Sequence, residues 1–98
     1  MEGNKTYERF CELLEEMRAL SEKKSHDYGG ADPISNLREF GWEGVVVRLS
    51  DKYHRLANFV KQGELQVKNE SIKDTLMDNA NYSLLALILL EEEENGKE

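Results

Sequence analysis

The 98-residue sequence predicts an all-α fold: three main helices, one short extra turn, and a helical bundle completed by oligomerisation. Three observations predict it. Apolar residues recur at intervals of three and four over three long stretches, the period of an amphipathic helix. Gly and Pro cluster in two places, "SHDYGGADP" and "QGELQVKNE", which read as loops. The stretch "LLALILL", from Leu84 to Leu90, is apolar on every side and too short to span a bilayer. Three helices of one copy have trouble covering such a segment all round, so the pattern predicts packing against another subunit, a homo-oligomer.

The length fits one domain over residues 1–98, with ends expected to fray at about 1–5 and 94–98. The first helix is expected from about Thr6 to Lys24, with Phe10, Leu13, Leu14, Met17 and Leu20 as its stripe. Lys23 and Lys24 fall in its last turn, where the helix dipole favours cations. A short turn, "ISNLREFG", comes next, with Gly41 as its stop. The second helix is expected from about Glu43 to Lys61, with Val45, Val46, Leu49, Tyr53, Leu56 and Val60 as its apolar face. The run Val45-Val46-Val47 favours strand locally, but packing overrides a single β-branched run within a long helical period. The third helix is expected from about Glu70 to Glu94, with Asn69 as N-cap and Ile72, Leu76 and Ala80 in its stripe.

Charge and cysteine content narrow the function. The net charge of −7 argues against a general binder of phosphate backbones. One cysteine, Cys11, permits no internal disulfide and points to a reducing, cytoplasmic setting. The N-terminal "MEGNKTYERF" has no apolar signal core, and no membrane association is expected.

Two polar lines stand beside the apolar ones. On the third helix, Glu70, Asp74, Asp78 and Asn81 lie at steps of four, four and three, which stacks them on one face. Like charges so placed repel by about a few tenths of a kcal/mol per pair. On the second helix, Arg48, Asp51 and Arg55 lie at steps of three and four, with Lys52 one position off. Either these faces meet as ion pairs that fix register, or they line a ligand site. In a site, arginine forks hold phosphate oxygens, and the carboxylates take a divalent cation or accept from base amines and ribose hydroxyls. A third cluster, "KKSHDYGG", sets His26, Asp27 and Tyr28 before two glycines whose backbone can approach an anion; a solvated helix end has the same look. Glu12 and Glu15 have ExxE spacing, which suits half of a magnesium cage or a solvent face. No Cys/His spacing fits zinc.

"SHDYG", "VVRLSDKYHRL" and "ESIKDTLMDNANY", in that order, resemble the nucleotide modification associated domain family, small proteins found largely in phages and prophages. The resemblance spans about Phe10 to Leu90. It implies an all-helical fold and a link to nucleotides in the cytoplasm of a bacterial host. By motif it carries His26, Asp27, Tyr28, Gly29, Arg48, Asp51, Lys52, Arg55, Glu70, Ser71, Asp74, Asp78, Asn81 and Tyr82. A looser similarity is to MazG-like all-α nucleoside triphosphate pyrophosphohydrolases, which hold magnesium with ExxE and ExxD pairs. Here the third-helix acids are spaced by four and no ExxD occurs there.

The expected function is capture of a small nucleotide without turnover, as a phage anti-defence sponge for a host immune signal would do. Its ligand residues are His26, Asp27, Tyr28, Arg48, Asp51, Lys52, Arg55, Asp74, Asp78, Asn81 and Tyr82, with no cofactor. The first alternative is a magnesium-dependent hydrolase with Glu70, Asp74 and Asp78 on the metal. The second is a structural protein acting through its surface.

Overall fold

The structure, a computed structural model, describes residues 2–27, 34–63 and 72–96, and among them are three helices and no strand. Helix α1 spans Glu2–Asp27, α2 Ser35–Gln62 and α3 Ile72–Gly96. The expected N-cap Asn69 and helix start Glu70 lie outside the described residues. Val45-Val46-Val47 is helical, with Val45 in the core, so packing does override local strand preference here. No helix among the described residues is long and apolar enough to cross a membrane.

The chain divides into two compact units, Met1–Pro33 and Ile34–Glu98. In the first, α1 is braced by pairs one turn apart. Arg9 Nη1 donates to Glu12 Oε2 at 2.9 Å, Arg18 donates to Glu15 at 2.5 and 3.0 Å, and Arg18 also reaches Glu22. Hydrogen bonding and charge from Arg18 hold the Glu15 carboxyl below its ordinary range. Glu12 and Glu15 are thus engaged by arginines of their own helix.

In the second unit, α2 breaks at Gly41, whose φ of 64° and ψ of −152° lie outside helical space. Residues 35–40 are the short extra turn, and Gly41 is its stop, because only a residue without Cβ sits comfortably there. Gly44 serves the same bend differently: a Cβ on it would come within 2.9 Å of the Phe40 Cβ. At the far end, Gly63 takes a left-handed conformation and its N–H bonds the Phe59 carbonyl at 2.7 Å, ending the helix.

Helices α2 and α3 pack on each other around Ile34, Leu37, Val45, Leu85, Ala86 and Leu89, with Leu49 and Tyr82 against this core. They run antiparallel in a steady register. Arg38 meets Glu92, Arg48 meets Tyr82 and Lys52 meets Asp78, so each advance along α2 is matched by a comparable retreat along α3. Two side-chain contacts straddle the Gly41 bend. Arg38 forks onto Glu92 at 3.0 and 2.6 Å, and the Trp42 indole N–H donates to Glu93 Oε2 at 2.9 Å.

The phase of the apolar faces differs from the sequence expectation. On α2, Val45 is buried and Leu49 and Leu56 are half-buried, but Val46, Tyr53 and Val60 are exposed. On α3, the inward line is Thr75, Tyr82, Leu85, Ala86 and Leu89, while Leu76 and Ala80 are exposed. The α2 apolar arc is wider than the strip α3 covers. The all-apolar segment Leu84–Leu90 carries no sign of which side turns inward.

Candidate functional site

Helical geometry lays out the candidate face. Residues on an α-helix advance by about 100° each, so 48, 51 and 55 fall on one flank of the Val45–Leu49–Leu56 line. On α3, the inward line runs through Thr75, Tyr82 and Leu89. Residues 74, 78 and 81 fall on the flank of that line that shares this side of the antiparallel pair. The two polar lines read from the sequence therefore meet along one edge of the α2–α3 seam.

Lys52 is the pivot of the meeting. Its side chain is only 14% exposed, and its Nζ lies 3.3 Å from Asp78 Oδ2 and 3.5 Å from Asp51 Oδ2. Arg55 Nε lies 3.5 Å from the same Asp51 oxygen, one turn along α2. These separations are ion-pair distances rather than tight hydrogen bonds. An ammonium this covered needs nearby carboxylates, and the two aspartates provide them. This part of the face matches the register-fixing reading.

Arg48 behaves differently. It is exposed, it has no carboxylate within ion-pair distance among the described residues, and its guanidinium carbon stands 5.8 Å from the centre of the Tyr82 ring. That is a cation–π arrangement, which steadies the guanidinium plane without occupying its donors. Tyr82 itself is half-buried against the core, so the ring is fixed and the arginine is positioned by it. Asn81, next to Tyr82, is half-buried, and Asp74 is exposed one turn before Asp78.

The structure thus brings together Arg48, Asp51, Lys52, Arg55, Asp78 and Tyr82, with Asp74 and Asn81 on the same edge. His26 is on the last turn of α1, in the other compact unit, and Asp27 is that helix's last residue. Tyr28, Gly29, Glu70 and Ser71 lie outside the described residues. Among the described residues, no three His, Cys, Asp or Glu side chains gather where a metal could sit. An open groove of about 410 Å³ is lined by His54, Ala57, Asn58, Val60 and Lys61, and shares none of the residues of this edge.

Sequence reasoning missed three features. Thr75 is 3% exposed at the floor beneath this edge, a polar residue on what proves to be the core line. Glu92 and Glu93 hold Arg38 and Trp42, pairings the sequence pattern does not suggest. Periodicity could have found Thr75, seven residues before Tyr82 and so on the same side. Nothing local could have found the glutamate pairs, which join residues over fifty positions apart.

No curated protein and no solved structure matches the chain. A family model does match, over residues 24–90, which takes in the end of α1, all of α2 and most of α3. That is well over half of the chain, and the chain belongs to the family described as nucleotide modification associated domain 1.

Proposed function

We propose that this protein binds a small nucleotide on the α2–α3 polar edge and holds it without turning it over. One observation carries the reading: Arg48 is an exposed guanidinium, set by the Tyr82 ring, with no carboxylate on it among the described residues. A planar fork of five donors fits phosphate oxygens in pairs. Tyr82 is the aromatic nearest to it, Lys52 and Arg55 add positive charge, and Asp74, Asp78 and Asn81 accept from base amines or ribose hydroxyls. The family's name supports the ligand class. In a phage, capture of this kind would remove a host immune signalling nucleotide, and that is the role we favour.

The rival readings fare less well on the same edge. A structural protein needs both arginines consumed by the α3 carboxylates, and Arg48 is not. A magnesium cage needs at least three converging carboxylates. Of Glu70, Asp74 and Asp78, only the two aspartates are described, and among the described residues no three His, Cys, Asp or Glu side chains gather.

The experiment is incubation with triphosphates, cyclic dinucleotides and cyclic ADP-ribose isomers, with and without magnesium, then denaturation and chromatography of what is released. Intact ligand recovered only after denaturation supports capture. Monophosphate and pyrophosphate appearing with magnesium would replace capture with hydrolysis. Arg48→Ala should abolish retention while the protein stays folded, and wild-type retention in that variant would remove Arg48 from the site.

A further inference from the structure

On the other side of the α2–α3 hairpin, apolar side chains are exposed. Val46, Tyr53 and Val60 recur every seven residues on α2 and are 64%, 65% and 83% exposed. Leu76 and Leu87 on α3 are 49% and 54% exposed. At about 100° per residue, all five fall on the flank opposite Arg48, Asp51 and Arg55. In an antiparallel pair the corresponding flanks of the two helices lie on one side, so these residues form a single strip. Isolated exposed apolar side chains need no explanation, but an aligned strip over two helices marks an interaction surface.

The rim of the strip says what it fits. One end carries Glu43 on α2 with Glu91 and Glu94 on α3, all exposed. The other end carries Lys61 on α2 and Lys73 on α3, with His54 two turns before Lys61. Glu43 and Lys61 are separated by about 27 Å of helix. The open groove of about 410 Å³ lies at the basic end, beside Val60, with His54 and Lys61 on its border. The strip therefore has an acidic end, an apolar middle and a basic, grooved end.

We propose that this face binds a second copy of the chain in an isologous, antiparallel dimer. A two-fold axis across the strip lays the acidic end of one copy on the basic end of the other, twice over, and stacks the apolar middles. The same surface serves as both partners, which is what opposed end charges permit and a uniformly charged strip would forbid. The Arg48 edges face outward on opposite sides of the dimer. Each copy then keeps its own nucleotide edge, so the dimer and the nucleotide reading stand or fall separately.

Sedimentation equilibrium of the full chain tests it. The expected mass is twice 11.3 kDa at low salt. Val60→Asp and Leu87→Asp, both at exposed positions, should each halve it without loss of helix signal. Lys61→Glu should weaken association at least tenfold by setting acid against acid, and Lys61→Glu with Glu94→Lys should restore it. A monomeric wild type would overturn the proposal. So would an assembly of any size that Val60→Asp and Leu87→Asp leave intact, or a charge swap that fails to rescue.

Discussion

Arg18 and Arg48 are both exposed arginines on long helices, and their surroundings differ in kind. Arg18 on α1 is gripped from both directions by Glu15 and Glu22, three residues before it and four after. Arg48 on α2 stands over an aromatic ring and has no acid beside it among the described residues. The first arrangement is built by one helix from neighbours in sequence, and it completes itself. The second depends on α3 to present Tyr82, and it leaves the donors of the guanidinium available. A local ladder stabilises its own helix modestly and has little left for a ligand. A group placed by tertiary packing and left with open donors is the one that can do chemistry with another molecule.

The sharpest way to break this contrast is to remove the packing that places Tyr82. Leu37 is 2% exposed and sits in the core that joins α2 to α3. Leu37→Ala should cost about 2–5 kcal/mol, read as a lower urea midpoint. Nucleotide retention should fall with it, because the Arg48 edge exists only where the two helices meet. The Arg18 ladder is made of bonds within α1.

A smaller effect is expected from the ion pairs beneath the edge. Asp78→Ala leaves the 14%-exposed Lys52 with Asp51 as its one ion-pair partner among the described residues. The expected loss is about 1–2 kcal/mol, since a covered ammonium then lacks one of its acceptors. Asp51→Ala should cost less, because Asp51 is itself exposed. Equal losses in the two variants would mean that Asp51, despite its exposure, supports Lys52 as much as Asp78 does. Trp42→Phe comes next. It removes the indole hydrogen bond to Glu93 across the Gly41 bend, for about 0.5–1 kcal/mol at this half-open position.

These positions show what the sequence held and what it did not. The three helices, the stop at Gly41 and the two polar lines follow from periods and breakers, which are local properties of the chain. Helical spacing alone set Arg48, Asp51 and Arg55 on one line and Asp74, Asp78 and Asn81 on another. It did not say that Lys52 would turn inward and Arg48 outward. That depends on where α3 lies against a broad apolar arc, and the arc reads the same whether Val46 or Val45 is covered. The all-apolar Leu84–Leu90 segment hides its phase for the same reason. Trp42 with Glu93, and Arg38 with Glu92, are long-range pairs between unlike patterns, so no period announces them. Most of the edge was legible as a set of residues, and little of it as a geometry.

The smallest effect belongs to the Arg18 ladder itself, and it tests the contrast from the other side. Arg18 lowers the Glu15 carboxyl from its ordinary value of 4.5, by hydrogen bonding first and charge second. A carboxyl lowered in the folded state favours that state while it is ionised. The contribution is therefore present above about pH 4.5, the unfolded value, and disappears as pH falls through the lower folded value. Glu15→Gln removes the ionisation, so its stability relative to wild type should be slightly reduced at neutral pH and should converge on wild type in acid. Because the pair is fully in solvent, the gap should also close with added salt. Nucleotide retention at neutral pH should not change at all. A loss of retention in Glu15→Gln would mean that the α1 ladder is not self-contained, and that its arginine, like Arg48, takes part in the site.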